Sequence, residues 1–259
     1  LELAGGGSAA KQFSRTASAK RIPSVTEKLQ KTRMIVLVAV AVAGFCALAL
    51  EVLWTRILVF VLGTSVYAFA CMLTCFLLGL ALGSLVCSRL LVRRIARPVF
   101  ALGVVELLVA LSALATVPLL GKLWHIDYAL TWQLRASGFW KQVLGHFIDS
   151  SLILLLPTVL MGAAFPIAVK AYAQSWKAVG KRVGEVYASN TVGCVIGSFA
   201  AGFVMVPLLG LRDSFLLVIA IQLALGVLVI SLSEKLRAAV QVPVGVASVA
   251  LLIGALFSI

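Results

Sequence analysis

Three acids and one base interrupt or border the apolar runs of this 259-residue chain: Glu51, Glu106, Glu185 and Arg56. An unpaired charge in hydrocarbon costs roughly 2.5–3.5 kcal/mol on the insertion scale. Each must therefore be neutral, paired, or turned towards a polar cavity, where a carboxylate can hold a cation or lock helices. Glu106 is the ninth residue of "PVFALGVVELLVALSALATVPLL". That places it about 13 Å along a helix rising 1.5 Å per residue, too deep for a short side chain to reach water. Glu51 stands 17 residues after Met34, about 25 Å along the same rise, with Arg56 at the headgroups. Two readings stand for "ALEVLWTRIL". The pair anchors the helix end beside Trp54, or Glu51 faces inward and pairs with another helix, since a five-residue spacing does not set up an i,i+4 bridge.

Other chemistry is sparse. His125 and His146 are the only histidines, 21 residues apart with no further donor beside them, so no metal or haem site is expected. The five cysteines, Cys46, Cys71, Cys75, Cys87 and Cys194, all lie in apolar runs without C-x-x-C spacing, where a thiol packs as a small hydrophobe. The chain has no dinucleotide fingerprint, Walker loop, H-E-x-x-H or Ser/His/Asp set. No cofactor is expected.

The residues that position these groups are 62% hydrophobic and only 12% charged, with a mean hydropathy of +1.13. A soluble domain carries about 25% charged residues, so the fold class is an all-α, polytopic membrane bundle. Windows of about 20 apolar residues predict seven spans, at about 34–60, 66–88, 98–120, 149–173, 186–208, 214–232 and 239–258. The net charge of +13 gathers in the segment before Met34 and in every second connection, as in Arg89, Arg93, Arg94 and Arg97 or Lys177, Lys181 and Arg182. That pattern predicts an inner-membrane protein with a cytoplasmic N-terminus and excludes nucleic acid as a partner. Residues 1–33 read as a flexible basic arm, and the absence of a leading Met points to processing or to a fragment. Residues 34–259 are the transmembrane domain.

Within it, 121–148 has its own texture. Trp124, Trp132 and Trp140 recur every eight residues, as in an outer interfacial element or a docking surface for a protein partner or second copy. Gly79 with Gly83, and Gly193 with Gly197, form G-x-x-x-G rows extended by Gly202, spacing that lets helices approach closely. Tyr67-Ala68 and Tyr187-Ala188 open the two glycine helices, which predicts a 3+3 inverted repeat. Pro157 and Pro166 interrupt the fourth span, and Asn190 offers a side-chain amide nearby. These three make a polar hinge, or the prolines merely kink a structural helix.

The stretch "ALEVLWTRILVFVLGTSVYAFACMLTCFLLGLALGS", with Glu51, Trp54, Arg56, Gly63, Ser65, Tyr67, Gly79, Gly83 and Ser84, resembles the opening helices of bacterial fused membrane/spermidine-synthase-like proteins. The likeness continues through Glu106 in "VVELLVAL" and Pro157, Gly162 and Pro166 in "LPTVLMGAAFPIAVK". It closes with Gly184, Tyr187, Asn190, Gly193, Gly197, Gly202, Pro207 and Gly210 in "VGEVYASNTVGCVIGSFAAGFVMVPLLGLRDS". It implies half of a major-facilitator-like fold, normally followed by an aminopropyltransferase-like domain whose motifs are not in this sequence. Three functions follow: a membrane module that moves or presents a small amine or polyamine-related metabolite, with Glu106, Glu51, Arg56 and Asn190 as binding residues; a non-catalytic anchoring subunit of a larger complex; or a fragment of a membrane-bound aminopropyltransferase.

Overall fold

Apolar length decides the architecture. The computed structural model describes residues 25–133, 138–173 and 179–233, and these are helical apart from short turns. Six α-helices follow in order: α1 Val25–Leu62, α2 Val66–Val86, α3 Pro98–Gln133, α4 Phe139–Tyr172, α5 Val179–Phe199 and α6 Val206–Ser233. Contacts set Leu1–Thr32 apart as a unit of its own. Of it only 25–32, the first turns of α1, are described, and the predicted arm otherwise lies outside the described residues. The bundle below starts at Arg33.

Five stretches are long and apolar enough to cross a membrane: Gln30–Leu62, Val66–Arg94, Pro98–Lys122, Phe139–Tyr172 and Gly180–Ser233. Even the shortest, 25 residues, outreaches a hydrocarbon core of about 30 Å. Phe60, Leu208 and Phe203 are 79%, 77% and 73% exposed, as befits a helical surface facing lipid.

The seven expected spans change in two places. The last, 239–258, lies outside the described residues. The fifth and sixth fall in one helical stretch of 54 residues, which kinks at Gly210 (φ 80°, ψ 174°) into two helices. Glycine adopts that left-handed backbone at no steric cost. Ser214 Oγ donates to the Gly210 carbonyl, so the helix resumes at once. The 121–148 segment is also largely helical: α3 runs through Pro118 to Gln133, and α4 begins at Phe139. The apolar pattern on either side carries both helices into it.

Side-chain pairings give the helix directions. Ser189 of α5 donates to the Leu37 carbonyl of α1 at 2.8 Å, and a side-chain carbon on Gly193 or Gly197 would overlap the carbonyls of Ala41 or Phe45. Hence α1 and α5 run parallel in close contact. On α2 a side chain at Gly79 would strike Thr158 of α4 and one at Gly83 would strike the Val159 carbonyl, while Cys71 and Cys75 donate to the carbonyls of Val143 and Phe147. So α2 and α4 are parallel too. Gly103 of α3 meets Ile230 of α6, and Leu107 meets Gly226, which makes that pair antiparallel. Both predicted glycine rows thus sit at helix–helix contacts. Gly202 does not: it lies in the π-helical turn Ala200–Met205 with open space before it.

After α2 the chain widens into a π turn, Cys87–Leu91, and then tightens into a 3₁₀ turn, Val92–Arg94. Lys170 of α4 donates to the carbonyls of Val92 and Ile95, satisfying acceptors that the helix end leaves without partners. Lys170→Met keeps the apolar stem and removes both bonds. It should lower unfolding stability in detergent by about 1.5–3 kcal/mol, the range for hydrogen bonds to charged groups.

Candidate functional site

The basic residues Arg33, Arg97, Lys170 and Arg182 mark one end of the bundle, since α1, α3 and α5 leave it and α2 and α4 return to it. About one to four turns in from those residues lies a cavity of about 270 Å³, lined from all six helices. The small residues Ala43 and Ala47 of α1, and Gly162, Ala164 and Ala168 of α4, leave this space because their side chains do not fill it. Its polar groups are few: Glu106 on α3, Gln222 on α6, Asn190 and Tyr187 on α5, and Ser84 on α2. Among the described residues lining it, Glu106 is the only carboxylate, and none is basic.

Glu106 and Gln222 are each 2% exposed. The Gln222 amide N–H donates to Glu106 Oε2, while Gln222 Oε1 is buried without a hydrogen-bond partner. A buried acceptor left in that state costs about 1–3 kcal/mol. Across from it, Asn190 Nδ2 donates to Cys194 Sγ at 3.7 Å, and the Asn190 backbone and side-chain oxygens press against Gly44 of α1. Tyr187 lines the cavity and is 63% exposed. The cavity therefore reaches the protein surface beside its ring, which meets Phe165 edge-on at 6.4 Å.

Apolar packing closes the end away from the basic residues. Trp54, fully buried, lies beyond Ala47 and Leu48 on α1. Its indole donates to Thr116 Oγ1 at 3.3 Å and its ring meets Phe215 edge-on at 5.9 Å, joining α1, α3 and α6. At the basic end, the Tyr172 hydroxyl donates to Glu185 of α5, and Arg33 of α1 lies 6.0 Å above the Tyr172 ring. Three helices meet there through polar contacts.

Of the expected binding residues, Glu106 and Asn190 share this cavity and the other two do not. Glu51 is half-buried in a narrow gap with Thr55, Phe69, Met72, Leu73 and Leu154, with Phe76 between that gap and the cavity. Arg56 is exposed. Trp54 belongs to the core and not to the interface, because its apolar ring has a hydrogen-bond partner for its one polar atom inside the bundle. Pro157 and Pro166 lie within α4, which continues past both, and Thr158 Oγ1 donates to the Leu154 carbonyl at 2.7 Å in the same turn. Trp140 is 79% exposed and stacks edge-on with Phe139, which meets Tyr67 in the same way. The side chains of Trp124 and Trp132 lie outside the described residues, and His125 is exposed.

Several residues escaped the sequence reading. Gln222 is the lone amide in "FLLVIAIQLALGVLV", and the rule that singles out Glu106 applies to it in weaker form. Asp149 is the first residue of the expected 149–173 span. Because α4 starts ten residues earlier, at Phe139, Asp149 is internal and fully buried, with His146 and Ser150 buried on the same face. Among the described residues no group of three or more His, Cys, Asp or Glu side chains is placed to hold a metal ion.

Comparison of the chain with protein-family models, with characterised proteins and with solved structures finds no match.

Proposed function

We propose that this chain is an integral membrane module that binds a small amine in the cavity between its six helices and moves it or presents it to a partner. The observation that carries this reading is Glu106, a buried carboxylate on the wall of a cavity whose described lining residues include no basic one. An ammonium group suits it, since it brings positive charge and three donors. The likeness of Glu51–Ser84 and of the later motifs to the membrane part of spermidine-synthase-like proteins points towards the same class of ligand.

A 3+3 inverted arrangement supports carriage. Exchange of α1 with α4, α2 with α5 and α3 with α6 maps the parallel pair α1·α5 onto α4·α2 and maps α3·α6 onto itself. Those pairings are the ones that the glycine contacts make. Inverted repeats that surround a site near the midplane are a common build for secondary transporters. With the basic end in the cytoplasm of a bacterial cell, the Trp54 layer closes the outer side and the Tyr172–Glu185 contact bridges helices on the inner side.

The decisive experiment is Glu106→Gln, which keeps shape and removes charge. Saturable amine uptake into proteoliposomes should fall by about 30-fold or more, from the ~2–5 kcal/mol attached to a buried charged partner, while the melting temperature stays near wild type. Undiminished uptake would sink the reading.

A second reading, a scaffold that anchors a larger complex, draws on the exposed aromatic group Tyr67, Phe139 and Trp140. Aromatic side chains of this kind dominate protein contacts. If Trp140→Ala releases a co-purifying subunit and Glu106→Gln changes no transport, this reading takes over.

A further inference from the structure

We infer that the cavity is built for a monoamine, one ammonium group on a compact apolar or aromatic body, and not for a polyamine; this rests on the amine reading above and narrows it. Charge is the first argument. Among the described lining residues Glu106 is the only carboxylate. The other acids of the bundle, Glu51, Asp149, Glu185 and Asp213, do not line the space. A first ammonium can pair with Glu106, but a second would sit against Leu48, Leu102 or Met161. An ion left unpaired in such surroundings costs several kcal/mol.

The head-group site is specific in its own way. Glu106 Oε2 already accepts from the Gln222 amide, which fixes the carboxylate on the cavity wall. Glu106 on α3 and Gln222 on α6 therefore stand side by side on the cavity wall, with the carboxylate as the charged acceptor. That suits a head that is all donor, as a primary ammonium is, and rejects a carboxylate or phosphate. A neutral alcohol could supply one donor but would leave the carboxylate charge uncompensated.

Size and wall chemistry fix the rest. A cavity of about 270 Å³ exceeds the ~150 Å³ that encloses benzene in an engineered apolar void. It falls just under the roughly 300 Å³ at which pockets for drug-sized ligands begin. A ring with a short aminoalkyl chain fits between those limits. Phe76 and Phe165 supply aromatic wall, which favours an aromatic or aliphatic body over the repeated charges of a polyamine.

The test uses the full chain in lipid nanodiscs and isothermal titration with 2-phenylethylamine, 2-phenylethanol, phenylacetate, 1,4-diaminobutane and spermidine. The expected result is one saturable site for 2-phenylethylamine. Its affinity should exceed that for the diamine, spermidine, the alcohol and the acid at least tenfold. Gln222→Leu should weaken the monoamine by about tenfold, the scale of one lost hydrogen bond to a charged group. If 1,4-diaminobutane or spermidine binds as tightly as the monoamine and Glu106→Gln abolishes that binding, the monoamine inference is overturned and the amine reading stands. If no amine binds in a Glu106-dependent way, both fall. Should Glu106→Gln not fold, the wild-type comparison of amine with isosteric alcohol decides the charge requirement: equal binding of the two overturns the inference.

Discussion

Gly193→Ala and Gly83→Ala should each lower the unfolding stability of the bundle by about 1–3 kcal/mol, although alanine is the better helix former. The added methyl at Gly193 would overlap the Ala41 carbonyl of α1, and the one at Gly83 would overlap the Val159 carbonyl of α4. Backbone atoms cannot swing aside as a side-chain tip can, so the helices must separate along their length and forfeit packing on both sides of the contact. Leucine at either site should prevent assembly of the pair. Gly202→Ala is the internal control. Nothing lies within 4 Å of its added carbon, so relief of glycine's entropy cost should leave stability unchanged or raise it by up to ~1 kcal/mol. SDS-induced unfolding of the purified protein reads all three, and a Gly193→Ala variant as stable as Gly202→Ala would show that α1 and α5 do not touch as described.

Those glycines also mark what could be read from sequence and what could not. Spacing alone picked out Gly79, Gly83, Gly193 and Gly197, because small residues four apart share one helix face. It could not say which helix each row meets, and it wrongly extended the second row to Gly202, where the backbone shifts into a π turn and turns that position away from α1. Glu106 was legible for a similar reason: a carboxylate in mid-run has few permitted environments. Its partner was not, because Gln222 lies 116 residues away on α6 and an uncharged amide is a fainter signal. Glu51 and Arg56 share one stretch but not one environment, since Glu51 is half-buried and Arg56 exposed. Four of the seven predicted spans keep their own helical stretch. Two share one helical stretch, divided by a kink at Gly210.

Trp54→Ala should cost about 3–5 kcal/mol, the usual range for truncation of a large buried aromatic. Trp54 has no exposed surface, so deletion of its indole empties a volume bounded by the core of α1, α3 and α6. The edge-on contact with Phe215 is lost with it. Thr116 has its own outlet, since its hydroxyl donates to the Ala113 carbonyl at 2.7 Å, and so survives loss of the indole as a donor. Trp54→Phe should accordingly cost much less, about 1 kcal/mol for the missing hydrogen bond together with a modest packing term. This contrast separates a core tryptophan from an interfacial anchor. An anchor would leave stability nearly unchanged in both variants and would alter membrane insertion. The functional consequence follows from position: Trp54 stands one to two turns beyond Ala47 and Leu48, which line the cavity. Removal of the ring thins the apolar layer between that cavity and the far end of the bundle. Trp54→Ala proteoliposomes should then leak amine down its gradient without saturation, whereas Trp54→Phe should retain saturable behaviour. Equal tightness in the two would place the closing layer elsewhere.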